Sequence, residues 1–201
     1  MSSKQPKSKS KVENPLIETL KTLGLSVVFA FGIRTAITEA CYIPSGSMLP
    51  TLQINDKLMI DKISYRFSNP VRGDIVVFKP PVQLEKELDA ENKPKENFIK
   101  RVIGLPGERI EVKNGKVYIN EKAISEKYID EAPNYSWSSN TLVSDGIVPK
   151  DHYLVLGDNR NNSYDSHYWG FVPKNKIVGK AVVRYWPIDR AGGINPQPDY
   201  Q

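Results

Sequence analysis

Apolar and polar residues alternate through residues 108–113 and again through 116–119, and only Asn114-Gly115 separates the two runs. A two-residue connection between strands needs positive φ at both central positions, which Asn and Gly tolerate better than other residues. The spacing therefore predicts a tight β-hairpin. Short runs rich in β-branched and aromatic residues recur along the chain, at Lys57-Leu58-Met59-Ile60, Asp74-Ile75-Val76-Val77-Phe78 and residues 98–103, 153–156 and 176–186. Gly and Pro punctuate them, as at Arg72-Gly73, Pro80-Pro81 and Gly104-Leu105-Pro106-Gly107. No internal repeat and no long amphipathic helix follow residue 40. A mainly β protein with one N-terminal helix is expected, and 201 residues are enough for one sizeable core. Residues 82–97, charged and broken by Pro94, read as an exposed loop, and 107–150 as a small lobe built on the hairpin.

The net charge of +5 comes in part from Lys4, Lys7, Lys9 and Lys11, which precede an apolar segment. That order points to a membrane surface and away from nucleic acid. Residues 22–33 carry no charge, and Lys21 and Arg34 close the run. A bilayer needs ~20 apolar residues, so Lys21 and Arg34 would have to extend their charges toward the two interfaces. A cleaved signal peptide and a buried soluble helix are the alternatives, but the best small-residue cleavage site, Thr38-Glu39-Ala40, is poor. An uncleaved anchor is expected, with the lysine-rich end in the cytoplasm and the remainder outside. Cys41 is the only cysteine and His152 and His167 the only histidines. No intramolecular disulfide, metal site or cofactor is expected.

Pro44-Ser45-Gly46-Ser47-Met48-Leu49-Pro50 places two serines around a glycine and two prolines around the set. Such a stretch holds an irregular turn rigidly, and Met-Leu beside it supplies an apolar border. Hydroxyls displayed there suit attack on a carbonyl, although the same residues also fit an ordinary Ser-Gly turn. A serine nucleophile needs a base. His167 lies near Asp158 and Asp165 in a polar loop, so a Ser–His–Asp set can be written. A lysine that has lost its proton is the other solution, and it requires burial. Lys100 and Lys180 each sit inside an apolar strand run, and spacing does not choose between them.

Taken together, these stretches resemble the type I signal peptidase family. Residues 44–52 look like its nucleophile motif, and Arg72-Gly73-Asp74-Ile75-Val76-Val77-Phe78 is similar to its second box. Lys100-Arg101-Val102-Ile103-Gly104-Leu105-Pro106-Gly107 resembles the box that carries the base, and residues 157–170 resemble the last box. The resemblance implies coiled antiparallel sheets forming a catalytic domain, a small β lobe, one N-terminal transmembrane helix, and a Ser–Lys dyad that removes signal peptides from exported preproteins after small residues. It implies Ser47 as nucleophile and Lys100 as base. The oxyanion would be held by the Ser47 N–H and the Ser45 hydroxyl. Ser163 would hydrogen-bond and orient Lys100, and Asp165 would support the loop through an ion pair. Arginine is usual in the family where this chain has His167, so Arg101 or a protonated His167 would be the partner of Asp165. Ile43, Met48, Leu52, Leu58, Val77, Phe98 and Ile99 would line two shallow pockets for small side chains. The implied layout is a cytoplasmic tail over 1–15, an anchor over 16–38, a catalytic domain over 39–106 and 151–190, the lobe over 107–150 and a loose tail over 191–201. Preproteins and membrane lipid are the expected partners, with the chain a monomer and the lobe without essential chemistry.

Two other readings compete. A self-cleaving serine–lysine regulator would need a DNA-binding helix-turn-helix ahead of the catalytic part, and the first forty residues have room for one helix only. A non-catalytic, membrane-tethered β module that binds extended peptides along a strand edge is the other.

Overall fold

The computed structural model describes residues 15–91 and 96–194. The basic tail and residues 195–201 of the expected loose C-terminus lie outside the described residues.

Residues up to Ile37 form one unit and the rest a second. The first unit holds helix α1, Pro15–Ile37, with an ion pair of 2.9 Å between Glu18 and Lys21. Leu16, Leu20, Leu23, Leu25, Val27, Val28 and Phe29 are all exposed on it. The expected transmembrane helix is corrected here: no helix among the described residues is long and apolar enough to cross a membrane. The helix has the length, but Glu18, Lys21 and Arg34 confine the uncharged run to residues 22–33.

The second unit is mainly β. In chain order it runs β1 Thr38–Tyr42, β2 Lys57–Asp61, α2 Ser64–Phe67, β3 Ile75–Phe78, α3 Val82–Ala90 and β4 Phe98–Gly104. Next come β5 Ile110–Lys113, β6 Lys116–Ile119, β7 Lys122–Ala123, β8 Trp137–Ser138 and β9 His152–Leu156. Helix α4 Ser166–Trp169, β10 Val172–Pro173, β11 Ile177–Trp186 and β12 Gly192–Gly193 complete it. Eight strands join one antiparallel sheet in the order β1-β2-β11-β3-β4-β9-β10, with β12 on β11. Register shifts within the β11 pairings and between β4 and β9 curl this sheet, because each extra residue bends its strand. Four strands form a second sheet, β7-β6-β5-β8. The hairpin lies within it: Lys113 pairs with Lys116, and Asn114 and Gly115 take φ of 51° and 71°.

Period-two alternation explains the core. Ile75 and Val77 of β3 enter one apolar cluster with Met48, Leu52 and Ile99, while Val76 and Phe78 enter another with Val102, Val155 and Trp169. All four β3 residues are buried, so the strand is covered on both faces. The expected exposed loop at 82–97 is corrected by α3. Leu84 and Leu88, four residues apart, reach the second cluster from one side of this helix, whose other residues are largely charged. The C-terminal end is also tied down as far as it is described, since β12 pairs with β11 and Ile194 packs on the first cluster.

Candidate active site

Met48 and Leu52 are fully buried and anchor the turn between Pro44 and Pro50, where the Leu52 amide donates to the Met48 carbonyl at 2.9 Å. Ser45 stays exposed and Ser47 half-buried at the edge of this anchor. The loop after β9 grips the turn from the other side. The Asn159 amide donates to the Ser47 carbonyl and its Nδ2 to the Gly46 carbonyl, both at 3.1 Å. Gly157 makes that approach possible, because a Cβ there would lie 2.5 Å from the Ser47 carbonyl oxygen and 2.2 Å from Ser163 Oγ.

Lys100 enters from the middle of β4, opposite Val76, and is 4% exposed. Its Nζ lies 2.7 Å from Ser47 Oγ and 3.0 Å from the Ile99 carbonyl oxygen. Burial disfavours the ammonium form and pushes the lysine down to about 8, against the opposing pull of the Asp165 and Asp158 charges. Lys180, the other lysine the sequence left open, lies 2.6 Å from Asp74 Oδ1 as an ion pair and is a third exposed. Lys180 is thus occupied by a carboxylate away from Ser47, whereas the buried Lys100 amine faces a hydroxyl from which it can accept a proton. Ser45 Oγ stands 3.4 Å from Ser47 Oγ.

The polar loop is arranged differently from the expectation. Arg101 does not serve Asp165: its Nε and Nη2 clasp Asp158 at 2.8 and 2.6 Å, both residues buried. Asp165 instead meets His167 Nδ1 at 2.7 Å and accepts the Gly157 amide at 2.8 Å, so it tethers the loop to itself. His167 stacks on Tyr135 with ring centroids 4.4 Å apart. The Ser47 hydroxyl is bonded to Lys100, and His167 to Asp165, so these bonds do not assemble the Ser–His–Asp set. Ser163 Oγ is buried and makes no hydrogen bond, so the expected bond to Lys100 is absent. It is packed against Gly157, while Lys100 Nζ is spent on Ser47 and Ile99.

A groove of about 450 Å³ opens beside the pair. Of the seven pocket residues expected, only Phe98 and Ile99 line it. Ile43, Met48, Leu52, Leu58 and Val77 belong to the first core cluster, with Val77 the most exposed of them at 3%. The apolar surface they were expected to supply comes from Pro44 and from Leu88 of α3, and Asn162 and Tyr164 close the other side. The Tyr164 hydroxyl donates to both Glu87 carboxylate oxygens, at 2.7 and 2.6 Å, tying the loop to α3. The four-residue spacing of Leu84 and Leu88 was the available signal for that wall. Among the described residues no group of three His, Cys, Asp or Glu side chains is placed to hold a metal.

A curled antiparallel sheet that sets a serine hydroxyl against a buried lysine amine has the layout of a serine hydrolase. The family described as signal peptidase, peptidase S26, matches residues 16–186, and the chain belongs to it. A signal peptidase I of Leptolyngbya laminosa is 54% identical over 193 residues, 96% of this chain and 91% of its own. A probable signal peptidase I-2 of Synechocystis sp. is 53% identical over 188 residues, 92% of this chain and 80% of its own. The crystal structure of a signal peptidase I from Enterococcus faecalis V583 is similar at 32% identity, over 56% of this chain and 97% of that one, with a TM-score of 0.45.

Proposed function

We propose that this chain is a serine endopeptidase that removes signal peptides from preproteins after small residues, with Ser47 as nucleophile and Lys100 as general base. The observation that carries the reading is the 2.7 Å contact between the Ser47 hydroxyl and an amine that is 4% exposed. Neutral Lys100 takes the Ser47 proton as Oγ attacks the scissile carbonyl carbon. The oxyanion that forms is met by the Ser47 N–H, which no described carbonyl occupies, and by the Ser45 hydroxyl. Collapse passes the proton from Lys100 to the leaving amine and leaves an ester on Ser47. Lys100 then takes a proton from water as the water oxygen attacks the ester carbonyl, and returns it to Ser47 Oγ as the carbon–oxygen bond to the serine breaks, which restores the hydroxyl and the neutral amine.

Incubating the detergent-solubilised protein with a preprotein tests the reading. Release of the signal peptide is expected. Binding without cleavage would favour a non-catalytic peptide-binding module instead. Ser45→Ala is expected to lower kcat by roughly 10²–10³ and leave trace activity, the usual cost of one lost oxyanion donor. A wild-type rate in that variant would remove Ser45 from the mechanism. His167→Arg is expected to be tolerated and His167→Ala to be only mildly impaired, because the imidazole contacts Asp165 and not Ser47. Complete loss of turnover in folded His167→Ala, checked by circular dichroism, would restore the histidine as base.

Membrane attachment through α1 is part of the proposal. Its support is the ring of exposed apolar side chains and the run Lys4, Lys7, Lys9 and Lys11 ahead of it. This attachment does not require α1 to cross the bilayer. The protein is expected to float with lipid vesicles in a density gradient, and a chain that begins at Thr38 is expected not to. Equal flotation of the two would overturn attachment through α1.

A further inference from the structure

Glu126 and Arg160 form an ion pair whose side chains are 4% and 0% exposed. Arg160 Nη1 and Nη2 donate to the two Glu126 oxygens at 2.7 and 2.5 Å, and its Nε donates to the Gly157 carbonyl at 3.0 Å. Glu126 belongs to the segment between β7 and β8, whereas Gly157 and Arg160 belong to the loop that grips the Ser47 turn. Tyr128, two residues on, donates its hydroxyl to Glu126 and lays its ring against the Arg101 guanidinium, 3.9 Å from the centroid. Arg101 in turn clasps Asp158, which accepts the Thr51 hydroxyl at 2.6 Å.

A buried ion pair is poor evidence of stabilisation, since apolar residues of similar size often serve as well. What the pair does supply is a fixed position for the Gly157 carbonyl. Gly157 packs tightly on the nucleophile turn, with no room for even a Cβ beside the Ser47 carbonyl. A displacement of Gly157 is therefore passed to Ser47 directly, and to the 2.7 Å contact with Lys100. We propose that Glu126 is a positioning residue for the reaction: acting through Arg160 and Gly157, it holds Ser47 in register with Lys100. The segment expected to carry no essential chemistry thereby sets the geometry of the nucleophile. The proposal rests on Ser47 and Lys100 being the reacting pair.

The test replaces the ion pair by apolar residues, Glu126→Leu with Arg160→Met, in the full chain in detergent with a preprotein substrate. No buried charge is left unpaired, so a melting temperature close to wild type is expected. Because a misplacement of about 1 Å costs ~10²-fold, kcat is expected to fall about ten- to hundredfold, with KM within about twofold. Glu126→Gln, of the same shape, is expected to lower kcat in the same sense and serves if the double variant does not fold. Val112→Ala, which loosens the core beneath the second sheet without touching the pair, is expected to keep wild-type kcat at temperatures where it is folded. Wild-type kcat in the folded double variant or in folded Glu126→Gln, or an equal loss in Val112→Ala, overturns the proposal. Ser47→Ala in the same assay separates this from the underlying reading: turnover surviving there would remove the Ser47–Lys100 pair itself.

Discussion

Lys100→Arg is expected to abolish cleavage even though it keeps a positive charge of similar reach. Arginine does not release a proton in proteins, so it cannot accept one from Ser47. General-base catalysis contributes roughly 10²–10⁴, and a loss of at least that order is the expected reading. Lys180→Arg is expected to remain active, because Lys180 only pairs with Asp74 and arginine can do the same. The two variants assayed on one preprotein decide the matter: an active Lys100→Arg with an inactive Lys180→Arg would put the base on β11. The pH dependence has a definite sign. The amine works when neutral, and burial sets its pKa at about 8, so kcat/KM is expected to rise with pH in one step near that value. The same shift acts on stability. The folded state binds fewer protons than the unfolded state between about 8 and the ordinary lysine value of 10.5, so stability rises across that window. Below pH 8 the buried amine carries its full penalty of about 3 kcal/mol. Lys100→Met, inactive, is therefore expected to unfold at higher denaturant than wild type at pH 7, with the difference narrowing as pH approaches 10.5. An unchanged midpoint at both pH values would mean that Lys100 is not held in the shifted state.

Ser47→Ala is expected to remove turnover while leaving the fold intact. Loss of a serine nucleophile that works with its base as a unit costs on the order of 10⁶ in kcat. The stability cost is small, because Met48 and Leu52, and not the half-buried Ser47 side chain, anchor the turn. The hydroxyl also relieves little: its partner Lys100 keeps the Ile99 carbonyl. Thermal unfolding and a cleavage assay on the same preparation check both halves. Residual turnover at a hundredth of wild type or more would point to a different nucleophile.

Much of this molecule was legible where the information is local. Asn114-Gly115 dictates the hairpin because the backbone angles it needs are intrinsic to those two residues. The β3 run of Ile75-Val76-Val77-Phe78 reads as a strand because β-branched and aromatic residues favour extended backbone, while the burial of both its faces is visible only in the fold. The Ser-Gly turn and its flanking prolines, and the four boxes that resemble signal peptidases, were visible without any neighbour. Helix α3 was not, because charged residues surround Leu84 and Leu88 and only the core shows which side of it is covered. Which apolar residues border the groove was not legible for a related reason: hydrophobicity says that Met48, Leu52 and Val77 avoid water, and not whether they face a groove or a packed interior.

The sequence by itself determined the strands, the turn that displays Ser47 and the candidates for its base. Only the tertiary structure decided among those candidates. Lys100 and Lys180 have the same local setting, but β4 lies between β3 and β9 and delivers its lysine to Ser47, while β11 delivers Lys180 to Asp74. Which basic side chain meets which carboxylate was decided the same way, Arg101 with Asp158 and His167 with Asp165. The physical reason is that a proton transfer or an ion pair depends on separations of about 3 Å. Groups 53 and 57 residues apart along the chain reach that separation only when strand order and register bring them together.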